Sequence, residues 1–317
     1  MDVLSDVLAT LRTGEPQSAR FAYSAPWEMR CSGGFGAAFQ VVLQGSFWVI
    51  PPDRQPFPVA AGDVLFLPRG TRHRQADHPL TPLADRACPP LPGRPVVRPT
   101  RIPASAGGRQ SPDTVLIGGG YRLGPERTHP FLSDLPDFVH LPAGLGGRPA
   151  IRAAVDLLAA ELDRPSGQGA NAAVTPLLDV LLLYILRACC EEQPAPVASA
   201  ATSGWAAALR DPAVSAALHA IHRDPSAPWT VAALGAEAGT SRAVFARRFT
   251  ALVGRSPLAY LTWWRMTTAA RLLRSADTPL GTVARQVGYA SEYGFATAFK
   301  RLYGSSPGRY RRQSGVA

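Results

Sequence analysis

A chain of 317 residues that is 46% hydrophobic and 18% charged can bury the cores of two ordinary domains, and its composition excludes a disordered or fibrous chain. Residues 1–204 are electrically neutral, with 18 Arg against 18 acids. Residues 205–317 hold 14 Arg and Lys300 against five acids, so the whole net charge of +10 sits in the last third. A basic module joined to a neutral one points to a polyanion-binding end and an end with another task. The N-terminus carries acids where a secretory signal is basic, and Val3, Leu4, Val7, Leu8 and Leu11 fall at helical spacing. The longest apolar run, Leu177–Leu186, contains Asp179 and is too short to span a bilayer, so no membrane partner is expected. Cys31, Cys88, Cys189 and Cys190 show no metal or CxxC spacing, which fits reduced thiols in a cytoplasmic protein.

From about residue 20 to 75 the pattern is of short strands: two around Gln44-Gly45-Ser46 and one at Val64–Leu67. Residues 79–112 carry nine prolines and read as a long loop or insertion. A strand resumes at Val115–Ile117, with Gly118-Gly119-Gly120 read as a turn. Amphipathic helices are expected over 150–163 and 174–190, and 191–204 has linker composition.

The last hundred residues repeat themselves. A shift of 50 positions superposes Ser241, Phe245, Ala246, Phe249, Leu252, Gly254, Ser256, Pro257 and Tyr260 on Ser291, Phe295, Ala296, Phe299, Leu302, Gly304, Ser306, Pro307 and Tyr310. Nine identities in twenty positions make a duplicated unit. Each copy reads as helix, turn, helix. Thr230 caps the first helix of one copy, and Thr278 with Pro279 at the first helical position starts that of the other; Ser241 and Ser291 cap the second helices. The Phe, Phe and Leu at i, i+4 and i+7 form a buried stripe, leaving a small, polar outer face of the kind a major groove admits. Between the copies a helix from Pro257 to Arg274 is about 27 Å long, near the ~34 Å repeat of successive major grooves.

The run from Val287-Gly-Tyr-Ala-Ser291 through Phe299-Lys-Arg301 and Gly304-x-Ser306-Pro307 to Tyr310-Arg311 resembles the DNA-binding domain of the AraC/XylS family of bacterial transcription regulators, over residues 211–312. The resemblance implies two helix-turn-helix heads on double-stranded DNA. By position in that motif, Arg242, Ala243, Ala246 and Arg247 face bases in the first head, and Glu292, Tyr293, Ala296 and Thr297 in the second. Ser241, Arg248, Ser291, Lys300, Arg301 and Arg311 are assigned to phosphate. Glu292 suits a cytosine amino group or a positioning contact.

Upstream, Gly62-x5-Pro68-x-Gly70-x2-His73 resembles a cupin motif, with Asp77 where that family usually has Asn. It implies a small sensor barrel whose His points inward. Metal-dependent cupins draw further His ligands from the preceding hairpin. No histidine precedes His73, so neither a metal nor another cofactor is expected, and no enzyme. Trp27, Phe39, Trp48, Phe66 and His73 are candidates to line an effector pocket, though core packing explains them equally well.

The expected protein is therefore a multidomain α+β chain. A cupin-like, jelly-roll type barrel over 1–145 is followed by a helical docking or dimerisation segment at 146–191, a linker at 192–204, and an all-α domain over 205–317. That last domain holds two helix-turn-helix motifs joined by a long helix. The function expected is a sequence-specific transcription regulator, taken as an activator, responding to a small-molecule effector. It would act as a homodimer, with RNA polymerase as a further partner. The alternatives are a redox-responsive regulator using its thiols and a metal-dependent cupin enzyme.

Overall fold

The computed structural model describes residues 3–12, 14–33, 36–81, 100–101, 113–122, 128–143, 148–163, 170–191, 204–275 and 278–314. Most of the proline-rich stretch, Cys88 and the linker at 192–203 lie outside the described residues. The chain forms two compact units that are interleaved in sequence. One consists of Gly14–Gly124 and Leu135–Cys189; the other of Met1–Thr13, Pro125–Asp134 and Cys190–Ala317. Residues 1–145 are thus not one contiguous body: their first helix and the 125–134 segment group with the C-terminal helices.

In chain order, α1 (Val3–Leu11) precedes β1 (Glu15–Tyr23), β2 (Glu28–Cys31), β3 (Ala37–Gln44), β4 (Ser46–Ile50), β5 (Phe57–Ala60), β6 (Val64–Leu67), β7 (His73–Ala76), β8 (Thr100–Arg101) and β9 (Thr114–Arg122). Next come α2 (Pro130–Asp134), β10 (Val139–Leu141), α3 (Pro149–Leu162) and α4 (Ala170–Glu191). The strands build a six-stranded sheet, β10-β6-β3-β9-β1-β8, and a four-stranded sheet, β2-β7-β4-β5. The strands on either side of Gly45 are not hairpin partners, because the chain changes sheets there. Gly45 has φ +73°, and a Cβ on it would lie 2.0 Å from the carbonyl oxygen of Asp113, so only glycine fits.

Alternation along the strands separates two faces. Phe21, Tyr23, Trp27, Phe47, Leu65 and Leu116 pack into the core between the sheets. Phe39 lies on the other face of its sheet, next to Leu178 of α4. The expected turn at Gly118–Gly120 is instead the middle of β9, and Gly119 shows why. A Cβ there would come within 2.7 Å of Phe39 and 2.9 Å of Leu178, so a bare backbone admits the helix above the sheet. The stretch Ala172–Glu191, with mean hydropathy 1.8, is long and apolar enough to cross a membrane, longer than the run read from sequence. Here it is a packed helix, with Val174, Leu178, Leu181, Leu182, Ile185 and Leu186 buried. Its Asp179 accepts a hydrogen bond from Tyr121 Oη.

Asp63, in the turn before β6, collects three donors: the amides of Ala60 (3.0 Å) and Ala143 (2.9 Å) and Nε2 of His140 (2.8 Å). Burial pushes its carboxyl up, but these donors together hold it below the ordinary 3.8. Buried His73 sits in the inner core, with Nδ1 2.7 Å from the Thr71 carbonyl and Nε2 2.8 Å from Nε2 of Gln75. Gln75 exchanges two amide hydrogen bonds with Gln40, so the imidazole belongs to a closed polar network.

The helical unit adds α5 (Trp205–Arg210), α6 (Pro212–Arg223), α7 (Val231–Glu237), α8 (Arg242–Val253), α9 (Pro257–Ser275), α10 (Leu280–Gln286), α11 (Glu292–Tyr303) and α12 (Pro307–Ser314). Asp211 caps α6 by accepting from the amides of Ala213 and Val214, and Thr230 caps α7 by accepting from that of Ala233. Ser291 Oγ accepts from the Gly294 amide, whereas Ser241 stands at the N-cap of α8 without a side-chain bond. At α10 Pro279 occupies the N-cap instead of the first helical position, so the helix begins one residue later than expected and has no side-chain cap. Gly254 and Gly304 end α8 and α11 in the left-handed conformation.

Replacing Asp63 with Ala orphans two backbone amides and should lower unfolding free energy by about 1–3 kcal/mol in a denaturant titration. An unchanged midpoint would dismiss the turn's role. His73, His129 and His222 are all buried and, chiefly through desolvation, held below the ordinary imidazole value of 6.5. As pH falls through 6.5 the unfolded chain binds protons that the folded one refuses, so stability is lost toward acid. The melting temperature should therefore fall between about pH 7.5 and about pH 5.5. A flat or rising curve would contradict these three environments.

Candidate nucleic-acid interface

The 50-residue repeat is a structural one. In the first copy Phe245 and Phe249 stand 5.5 Å apart and Phe249 meets Tyr260 at 5.9 Å; in the second, Phe295 and Phe299 are 5.7 Å apart and Phe299 meets Tyr310 at 5.3 Å. All six rings are buried. Two helix pairs, α7 with α8 and α10 with α11, are thus each closed onto a third helix by the same aromatic trio.

The outer faces of α8 and α11 stay open. Ser241, Arg242, Ala243 and Arg247 are exposed and Ala246 half-buried on α8 and at its cap; Ser291, Glu292, Tyr293, Thr297 and Lys300 are exposed or half-buried, with Ala296 half-buried, on α11 and at its cap. Tyr293 is 83% exposed, a large aromatic ring held out from the N-terminal turn of α11. The Glu292 carboxylate lies 3.3 Å from where a Cβ on Gly281 would be, so it leans back over the start of α10. Small residues between charged ones leave room for a close approach of a nucleic-acid groove, and the helix N-termini add positive potential.

Two of the arginines assigned to phosphate are engaged within the protein. Arg248 pairs with Asp211, the carboxylate that caps α6, and Arg311 donates to the carbonyl of Thr278 at the entrance to α10. Arg248 thereby ties α8 to the start of α6, and Arg311 ties α12 to the start of α10. Lys300 and Arg301 remain exposed.

Arg265, on α9, was not singled out by its sequence context. It donates from Nε to Pro225 O (2.7 Å) and from Nη2 to Ala227 O (2.8 Å), in the loop between α6 and α7. Its guanidinium also lies 6.0 Å from the Tyr289 ring. Gly288 beside it has φ +80°, and a Cβ there would come within 2.7 Å of Arg265. One side chain therefore links the loop that leads into the first helix pair to the turn of the second. The only sequence trace of this is an arginine on an otherwise apolar stretch of helix.

The five residues expected to line an effector pocket do not come together. Trp27 and His73 lie in the core between the sheets, where Trp27 stacks on Tyr23 at 4.5 Å and His73 meets Phe138 edge-on at 5.5 Å. Phe39 and Phe66 point to the opposite face of their sheet, and Trp48 lies half-buried between the inward Phe47 and Val49 of β4. Strand alternation splits the set. Instead, a cleft of about 350 Å³ opens between α3 and the six-stranded sheet, walled by Val41, Val64, Leu141, Ile151 and Val155, with Arg152 at its rim. The Leu-rich stripe of α3 and α4 is mostly spent on packing, although Leu157 is 58% and Val180 42% exposed. Among the described residues no three of His, Cys, Asp and Glu gather into a metal-binding group. Cys31 is buried in the inner core, and burial raises the Cys190 thiol to about 11, away from the reactive thiolate.

Comparison with known proteins identifies the family. A cupin family model matches residues 2–191 and a helix-turn-helix domain model matches residues 234–313. A putative AraC-like transcription regulator of Streptomyces antibioticus is 36% identical over 98% of this chain and 99% of its own length. One from Streptomyces lividans is 36% identical over 98% of each. The C-terminal domain of AraT, a response regulator from Geobacillus stearothermophilus, is 32% identical with a TM-score of 0.33, covering 33% of this chain and 88% of that one. The chain belongs to the AraC family of DNA-binding transcription regulators, with a cupin region ahead of its helix-turn-helix region.

Proposed function

We propose that α7–α8 and α10–α11 are two helix-turn-helix heads that read neighbouring major grooves of one DNA duplex. The observation that carries this is the repetition of one aromatic-closed helix pair at both ends of α9, each with an exposed second helix. At 19 residues, α9 is about 28 Å long, close to the ~34 Å groove repeat. Arg242, Ala243, Ala246 and Arg247 face bases in the first head, and Tyr293, Ala296 and Thr297 in the second. Glu292 serves better as a positioning group for α10 than as a base reader. Ser241, Ser291, Lys300 and Arg301 meet phosphate, while Arg248 and Arg311 hold helices in place.

The cupin region is a sensor rather than an enzyme, a barrel of jelly-roll type built from the two sheets. Its effector is a small molecule of partly apolar character, for which the cleft under α3 is the better candidate than the filled core between the sheets. Pairing of two copies through α3 and α4, a contact with RNA polymerase and a cytoplasmic location complete the reading. The high Cys190 pKa argues against a thiol switch at that residue.

The test is a salt-resolved titration of the full-length chain against DNA upstream of its own gene, and against sequences it enriches from a random pool. Equal affinity for these and for unrelated DNA would defeat the reading. Arg247→Ala should cost about 1–3 kcal/mol on selected DNA and relax preference at one position. An unchanged preference would remove Arg247 from the base readers. Lys300→Ala should weaken selected and random DNA alike and lower the salt slope by about one, whereas Arg248→Ala should leave that slope unchanged.

A further inference from the structure

The two heads are not equivalent in how their cores are completed. Around the second, Met266, Ala269, Leu273, Val283, Phe295 and Phe299 form a cluster drawn wholly from α9, α10, α11 and α12 and their connections. The first head takes part of its core from segments far upstream of it in the chain. Phe131 and His129 pack on Trp205, at 6.2 and 5.2 Å, and His129 also meets Trp263 at 4.9 Å. The Asp134 carboxylate accepts from the Trp205 amide at 2.9 Å, just where α5 begins.

The deepest of these connections starts at the N-terminus. Asp6 of α1 is fully buried, and its Oδ2 lies 2.5 Å from Nδ1 of His222 on α6, 216 residues away. Nε2 of His222 lies 2.6 Å from Tyr260 Oη on α9. The same imidazole stacks on Trp264 at 4.1 Å. Tyr260 belongs to the aromatic trio that closes α8 onto α9. With Asp6 accepting at Nδ1, Nε2 is left to accept the phenol proton, so the relay has one consistent direction. A carboxylate is a costly group to bury, and an apolar side chain would fill the space as well. What the acid adds is a single hydrogen-bonded arrangement of α1, α6 and α9. In the second copy Tyr310 stands at the position of Tyr260, and its ring neighbours Phe299 and Tyr303 both come from α11.

We propose that Asp6 is a positioning residue for DNA reading: through His222 and Tyr260 it fixes α9 beneath the first head, so the groove-facing side of α8 is held in register by the chain's own N-terminus. Helix α1 ends at Leu11 and β1 begins at Glu15. The element that anchors the first head is thus joined to the first strand of the sensor by three residues. The role of Asp6 rests on the two-head reading above.

The test uses the full-length chain and the DNA it enriches from a random pool. Failure of the unaltered chain to enrich any sequence would count against DNA reading itself, not against Asp6. D6L keeps the branched skeleton, in a larger side chain, and removes the acceptor; D6N keeps an oxygen that can accept from His222. D6L should bind selected DNA at least tenfold more weakly and lose cleavage protection over one groove while retaining it over the other. D6N should bind within threefold of the parent with both footprints intact. Parent-like D6L binding would overturn the proposal, as would equal loss of both footprints, which would make Asp6 a general stabiliser. If D6L does not fold, hydrogen exchange on the unaltered chain decides. Selected DNA should slow exchange in α1 together with α6 and α9, and random DNA should not. No change in α1 would overturn the proposal.

Discussion

Everything in the helical unit depends on one helix being held along both halves. Tyr260 of α9 meets Phe249 of the first helix pair and Trp264 stacks on His222 of α6, while Met266, Ala269, Ala270 and Leu273 bind α9 into the second pair. Arg265 lies at the junction, with its guanidinium on the carbonyls of the loop leading into the first pair and beside the turn of the second. Burial along both halves leaves the helix little freedom to bend or rotate, since any rotation would expose one set of apolar side chains to cover the other. The distance and angle between α8 and α11 are thereby properties of the core, not of a flexible tether.

That arrangement explains the division of labour among the basic residues. Net positive charge is concentrated in this unit, but not all of it faces outward. Arg248 and Arg311 are drawn back to Asp211 and the Thr278 carbonyl, where they secure helix ends. Arg242, Arg247, Lys300 and Arg301 remain in solvent. A charge count therefore measures the electrostatic attraction of the unit for a polyanion without saying which cations deliver it.

The β unit makes the same point with apolar residues. Trp27, Phe39, Trp48, Phe66 and His73 look alike in sequence as rings among short strands. Yet a pleated strand sends neighbours to opposite faces, and the turn at Gly45 moves the chain from one sheet to the other. The core between the sheets takes Trp27 and His73, and the face toward α4 takes Phe39. The triple glycine is the mirror case. Glycines in a row suggest a turn, but Gly119 is bare because Phe39 and Leu178 close over it, which depends on a helix about sixty residues further on.

What the sequence alone determined is whatever rests on local periodicity and on identity at a fixed shift. That covers the duplicated helix pairs, the Phe-Phe pairs of the buried stripe, the caps at Thr230 and Ser291 and the strand at Val64–Leu67; the resemblance to a DNA-binding family came separately, from a motif. These are written in side-chain spacing and turn chemistry, which need no distant partner. The tertiary structure decided the rest: that α1 and residues 125–134 belong with the C-terminal helices, that Asp6 meets His222, that Arg265 links two loops, and that the pocket residues part company. Each is a contact between groups far apart in the chain, and such contacts are chosen by which buried polar groups find partners once the cores have formed.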